Sequence, residues 1–342
     1  MRVMTLNALG FVAALAPAPQ AAAAPAPAAA TPAMQDVLDY VRDQKTTGFL
    51  VIRDGVVVVR RNWPAPPDAG EFKAAFAYET NADGELLEDV ASQQKSFVAL
   101  LVAIAVDKGL VDVDKPVSTW LGDGWSKAAP EQEAKIRLID ILTMSSGLDA
   151  AFAYAAPPGT TFLYNTPVYA VTKRVLAAAT GQPLETLTRA WLTEPAGMTD
   201  TAWRERPATL GDVGNPTGLV TSPRDLAKFG QLILDGGRAA DGRRIVSEAE
   251  LEAMFDRSTP NPSYGRLWWL NGGAYAVRAP AHRVDGPLIP PAPADVVAAL
   301  GALDRKLYIA PGRRLVVVRL GQAAPDKDFD STLWRKLDDA LH

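Results

Sequence analysis

Ser92 and Lys95 stand three residues apart at the head of a long apolar run, Val90-Ala91-Ser92-Gln93-Gln94-Lys95-Ser96-Phe97 and on to Val106. From Phe97 the stretch is hydrophobic almost all round, the pattern of a helix enclosed by a large protein rather than lying on its surface. Serine suits the start of such a helix, because its hydroxyl can accept from the unpaired N–H groups of the first turn. Lys95 then follows one turn later on the same face. The pattern sets an amine beside a hydroxyl in a partly desolvated place. Burial disfavours the charged amine and lowers its pKa. A neutral amine can take the hydroxyl proton and leave a nucleophile, and the positive end of the helix dipole favours the charge that develops. The plainer reading of the same residues is a helix cap followed by a snorkelling lysine. A lysine one turn into so apolar a helix needs a reason, however, and this is the only Ser-x-x-Lys in the chain.

Two further stretches could complete a site. In Pro157-Pro158-Gly159-Thr160-Thr161-Phe162-Leu163-Tyr164-Asn165-Thr166-Pro167, a Pro-Gly turn leads to a short extended piece and then to a helix near Pro167. Tyr164 projects just before that helix. A phenol beside a cationic lysine can share its proton and act as general acid or base; a tyrosine packed into a helix corner gives the same pattern. In Ala298-Ala299-Leu300-Gly301-Ala302, small residues would let a substrate lie close to main chain. A backbone N–H there could complete an oxyanion hole with that of Ser92, and a tight bend into a strand is the alternative. Gly124-Trp125-Ser126-Lys127-Ala128 approaches a nucleophile elbow but lacks the last glycine and a preceding strand. Its triad would depend on His282 in a proline-rich loop. Trp268 and Trp269 read as core or pocket wall, and Trp268 is placed among the substrate contacts.

Composition narrows the chemistry. The 342 residues suffice for one large domain or two intertwined ones, and 48% hydrophobic with 22% charged content is that of a globular protein. A net charge of −4 favours neither nucleic acid nor an acidic membrane as partner. There is no cysteine, hence no disulfide, thiol nucleophile or thiolate metal site. The two histidines, His282 and His342, leave no multi-histidine zinc site. Residues 1–24 resemble a secretory signal and residues 25–35 an Ala/Pro linker, so a periplasmic or secreted location without a membrane anchor is expected; a cytosolic tail is the alternative.

The elements that must position these residues are marked by period and by turns. A helix is expected over Met34–Arg42. Asp54-Gly55 between the β-branched runs 48–53 and 56–60 signals a hairpin. A second hairpin is expected from 306–310 and 315–320, and a closing helix over Ser331–Leu341. Helical period marks 136–144, 167–180, 183–192, 223–234 and 248–255. Ser222 and Ser247 have the sequence of helix caps. Pro280–Pro293 is expected as loop. The fold class is therefore α+β: an antiparallel sheet built from both chain ends (about 36–105 and 260–342) and flanked by helices, with a mainly helical insertion (about 106–259).

Taken together, Ser92-x-x-Lys95, Ile139-Asp140-Ile141-Leu142-Thr143-Met144-Ser145-Ser146-Gly147-Leu148, Pro158-Gly159-Thr160-Thr161-Phe162-Leu163-Tyr164-Asn165 and Gly218–Gly230 resemble the serine β-lactamase-related hydrolases. That group includes class C β-lactamases, penicillin-binding DD-peptidases, family VIII esterases and 6-aminohexanoate-dimer hydrolases. The resemblance covers residues 36–342. It implies a β-lactamase/DD-peptidase-like fold and an acyl-enzyme on Ser92. Lys95 and Tyr164 would move the proton, the main chain of Ser92 and Ala302 would form the oxyanion hole, and no cofactor or metal would take part. Asn165, Thr166, Ala299, Leu300 and Gly301 would join Trp268 at the substrate. Two places depart from the family pattern. Thr166 stands where Asn or Ser is usual, and Ala299-Leu300-Gly301 stands where Lys or His, a small residue and Gly are usual. Loss of that cation disfavours a substrate carboxylate. The expected substrate is a small ester or amide, with a DD-peptidase or weak β-lactamase as second reading. A non-catalytic binder of cell-wall peptide is the third.

Overall fold

The computed structural model describes residues 31–208, 210 and 214–342. The signal segment 1–24 and the linker up to residue 30 lie outside the described residues. The first helix, Pro32–Asp43, starts inside the stretch expected as linker, because Thr31 caps it by accepting from the Met34 N–H at 3.2 Å.

Both chain ends build one sheet. Asp54 and Gly55 have φ of +52° and +75°, and two consecutive left-handed residues form the turn that twisted hairpin strands favour. Strand Thr46–Arg53 then pairs antiparallel with Val56–Asn62 on one side and with Leu315–Gly321 on the other, Val51 facing Val317. The spatial order is Val56–Asn62, Thr46–Arg53, Leu315–Gly321, Arg305–Ala310, Val297–Gly301 and Trp269–Leu270. Every residue of Leu315–Gly321 is buried, so the strand is covered on both faces. The terminal helix Phe329–Leu341 covers one, with Trp334 edge-on to Tyr308 at 5.5 Å. Helix Pro223–Leu234 covers the other through Gly230, where an added Cβ would lie 2.7 Å from Val316 and 2.8 Å from Leu307. Behind it runs Gln94–Asp107, its Phe97 ring stacked on Phe229 at 3.8 Å between centroids. The architecture is the α+β one expected, with an antiparallel sheet built from both chain ends and flanked by helices.

Several local expectations need correction. The insertion, expected as mainly helical, also contributes strands: Ala202–Glu205 and Thr217–Thr221 join Ala77–Thr80 and Leu86–Asp89 in a four-stranded sheet. These strands have four or five residues and no alternation of polar with apolar side chains, so the sequence carries little sign of them. The proline-rich loop contains strand His282–Asp285, paired with Tyr275–Arg278. The helix expected over 136–144 spans only Leu138–Leu142, and that over 183–192 spans Leu184–Thr188 before widening into a π turn at Arg189–Thr193. The two serine caps form as read, Ser222 accepting from Asp225 N–H and Ser247 from Glu250 N–H.

The tight seat of Gly230 generates a prediction. Gly230→Val should force the helix away from the sheet and destabilise the fold by about 1–3 kcal/mol, the usual cost of overpacking. A thermal melt of the variant checks this, and an unchanged midpoint would contradict the packing described.

Candidate active site

Ser92 does not cap the apolar helix. It sits in a tight 3₁₀ turn, Ala91–Gln93, and the α-helix begins only at Gln94. Ala91 takes φ = +50°, a left-handed conformation that costs a non-glycine residue roughly 1–2 kcal/mol. Asp89 holds it there, its Oδ1 accepting from the Ala91 N–H at 2.7 Å. Asp89 is fully buried and is clamped by Arg206, whose Nε and Nη2 donate to the carboxylate at 2.7 and 3.0 Å. Arg206 also donates to the Asn215 carbonyl at 3.1 Å. Gly218 makes room for this pair, since a Cβ at that position would collide with the Asp89 carboxylate. The turn that aims Ser92 is thus set by residues more than a hundred positions away.

Lys95 is buried, and its Nζ donates to Ser92 Oγ at 2.9 Å and to Thr166 Oγ1 at 3.2 Å. Its pKa is brought down to about 7, first by burial and then by the positive charge of Arg206. Among the described residues no carboxylate bonds to the amine. At neutral pH roughly half of it is therefore uncharged and able to accept a proton. The rings of Tyr164 and Tyr169 face the amine at 4.8 and 4.9 Å.

Tyr164 is held by stacking rather than by a turn of its own. Its ring lies nearly parallel to Trp269 at 5.7 Å and edge-on to Tyr264 at 6.3 Å. Its N–H donates to the Pro280 carbonyl at 2.8 Å. Burial pushes the phenol up to about 12, while a hydrogen bond with Ser92 works in the opposite direction. The phenol stays protonated at neutral pH, which leaves Lys95 as the proton acceptor and Tyr164 as a donor.

Strand Val297–Gly301 closes on the turn from the other side. Gln93 Nε2 donates to the Ala299 carbonyl at 3.2 Å, and a Cβ on Gly301 would lie 2.5 Å from the Val90 carbonyl oxygen. That contact brings Ala302 to the pocket. The pocket has a volume of about 130 Å³, and its walls include Ser92, Lys95, Thr166, Ala302, Arg206 and Asn215 together with Phe76 and Leu210.

Of the residues singled out from sequence, the structure brings Ser92, Lys95, Tyr164, Thr166 and Ala302 together. It does not bring the rest to the pocket. Asn165 caps helix Thr166–Thr180, its Oδ1 accepting from Val168 N–H and its Nδ2 donating to the Leu148 carbonyl, so its amide is fully engaged. Trp268 is entirely buried between Phe229 and Phe255; the neighbouring Trp269 is the one that meets the site. Ala299 is buried, and neither it nor Leu300 nor Gly301 walls the pocket. Ser126, the rival nucleophile, donates its hydroxyl to Glu133 at 2.5 Å.

Sequence reading missed a hydrogen-bonded set of polar groups behind Lys95. Gln94 Oε1 accepts from Asn215 Nδ2 at 3.1 Å and from Tyr169 at 3.4 Å. Lys173 donates to Asn215 Oδ1, the Thr217 carbonyl and Thr217 Oγ1 at 2.8, 3.0 and 3.1 Å. Its pKa falls to about 6, chiefly by burial and then by the charges of Arg206 and Lys95. Thr166, Tyr169 and Lys173 lie at i, i+3 and i+7 of one helix, a stripe that period alone could have revealed.

The family model described as Beta-lactamase matches residues 34–341. The 6-aminohexanoate-dimer hydrolase of Paenarthrobacter ureafaciens is 23% identical, over 91% of this chain and 81% of that relative. Among solved structures, a penicillin-binding protein homologue from Caulobacter crescentus superposes with a TM-score of 0.64 at 16% identity, over 91% of this chain and 98% of the other. EstCE1, a hydrolase with promiscuous acyltransferase activity, superposes with a TM-score of 0.63 at 15% identity, over 90% and 97%.

The clamp on the turn is testable. Arg206→Met leaves the Asp89 carboxylate buried without its cation, a change that costs about 3–5 kcal/mol. A urea titration should show a loss of this size, whereas a change below about 1 kcal/mol would mean that the pair does not hold the turn.

Proposed function

Because the chain belongs to the beta-lactamase family, which its residues 34–341 match, we propose that it is a serine hydrolase acting on small neutral esters or amides through an acyl-enzyme on Ser92. The observation that carries this reading is the 2.9 Å contact between Ser92 Oγ and a lysine whose pKa is brought down to about 7. Neutral Lys95 takes the Ser92 proton as the oxygen attacks the substrate carbonyl. The N–H groups of Ser92 and Ala302 receive the oxyanion. Tyr164, still protonated, gives its proton to the departing oxygen or nitrogen and is reprotonated by Lys95. Water then releases the acid by the reverse transfers.

The preference for a neutral substrate rests on charge. Among the described residues walling the pocket the cations are Lys95 and Arg206. Arg206 has its guanidinium committed to Asp89, and Lys95 serves as base. Ala299 supplies no charge where the family pattern has a cation. A substrate carboxylate such as that of a penicillin would find no free partner, which places a DD-peptidase or β-lactamase activity second. The named activity of the 6-aminohexanoate-dimer hydrolase relative supports an amide bond as one candidate.

Intact-mass measurement after treatment with an acylating serine-hydrolase probe should show one adduct on the wild type and none on Ser92→Ala. An adduct on both, or on neither, overturns the nucleophile. Short-chain p-nitrophenyl esters should be hydrolysed at a measurable rate, and nitrocefin slowly or not at all; rapid nitrocefin turnover would remove the argument from charge.

The pH dependence follows from Lys95. Its charged form cannot accept the proton, so kcat/KM should climb with pH through an apparent pKa of about 7 and fall about tenfold per unit below it. A profile flat from pH 5 to 8 would show that another group is the base.

A further inference from the structure

The pocket around Ser92 is too small for a whole substrate. Ligand sites commonly enclose about 300–1,000 Å³, and this one has about 130 Å³. A much larger cleft, about 850 Å³, adjoins it across Phe76 and Leu210, which wall both. Its inner surface includes Ala69, Phe72, Ala75 and Leu303. The charged residues Lys45, Asp68 and Glu71 on its wall are all exposed. Leu303 directly follows Ala302, the candidate oxyanion donor, so the cleft leaves the pocket on the oxyanion side. The ring of Phe76 is fixed by the buried Arg305, whose guanidinium carbon lies 4.4 Å from its centroid. Arg305 in turn donates to the Ala302 carbonyl at 3.0 Å. One cation therefore orders both the cleft wall and the turn that carries Ala302. Tyr164 walls neither cavity, its ring packed against Trp269 and Tyr264.

On the basis of the hydrolase reading above, we propose that this cleft is an acyl subsite for a medium-length aliphatic chain. The group that departs must receive its proton from Tyr164 and so lies on the Tyr164 side. The part that stays on Ser92 then points away from Tyr164, past Ala302, into the cleft between Phe76 and Leu303. The apolar side chains of the wall suit methylene groups, with the amide of Gln322 also on it. The subsite therefore discriminates by the length of the acid and hardly at all by the length of the alcohol or amine.

The test is a pair of ester series on the wild-type protein. p-Nitrophenyl esters from acetate to octanoate vary the acid, and acetyl esters of ethanol to octanol vary the leaving group. Each fully buried methylene raises kcat/KM by up to about fourfold, the ratio corresponding to about 0.8 kcal/mol. In a cleft open to solvent, octanoate should exceed acetate by at least about tenfold in kcat/KM. The alcohol series should change by less than about threefold. Ala75→Trp, which narrows the cleft without touching Ser92, should lower the octanoate-to-acetate ratio at least about fivefold, its folding being checked by circular dichroism. Acetate turnover without any gain along the acid series overturns the subsite and leaves the nucleophile standing, as does a gain along the alcohol series instead. Failure of every ester to acylate Ser92 overturns both.

Discussion

The site depends on keeping an amine dry. Lys95 is enclosed by an apolar helix, by the rings of Tyr164 and Tyr169, and by Arg206 beyond them. A carboxylate against the amine would lock its charge in place, and among the described residues none bonds to it. The buried Asp89 is neutralised by Arg206 and spends an oxygen on the Ala91 N–H. A single ion pair thus does two things. It holds the left-handed residue that aims the hydroxyl, and it places a positive charge where it opposes protonation of the amine. The stacked pair Tyr164–Trp269 and the close strand Val297–Gly301 flank that hydroxyl.

How much of this the sequence disclosed follows from the range of each interaction. The hairpins at both ends and the capped helices at Ser222 and Ser247 rest on local signals, and they form as read. Ser92, Lys95 and Tyr164 stood out because unusual residue types sit beside apolar or turn-forming stretches. Asn165 was misassigned although the clue was local: asparagine two residues before a proline at a helix start is a capping signature. Trp268 and Trp269 could not be told apart, since Trp268 only precedes the strand Trp269–Leu270 and the fold alone decides which ring turns to the core. The strands Ala202–Glu205 and Thr217–Thr221 were missed because short strands in a small sheet lack a period. Arg206 carried no sign at all, being 117 positions from the carboxylate it clamps.

The polar groups behind the site show how the fold limits sequence change. Lys173, Asn215 and Gln94 form a chain of hydrogen bonds that leaves each amide oxygen paired, and buried polar groups are costly unless paired. Gly218 and Gly301 are narrow points where no side chain fits, one against Asp89 and one against Val90. These positions make no contact with a reacting atom, yet they fix the distances among those that do.

The interleaving of the two chain ends in one sheet has a consequence for biosynthesis. Strand Thr46–Arg53 finds its partner Leu315–Gly321 only after more than 260 further residues have been made. On the ribosome the first hairpin therefore waits with one edge bare, and the helix that carries Lys95 just after the Ser92 turn waits with its apolar surface uncovered. Loop closure over such a span is slow compared with local helix formation. The nascent chain is consequently exposed to misassociation until the last strand emerges, and a holding chaperone would act on the unfinished sheet rather than on the finished protein.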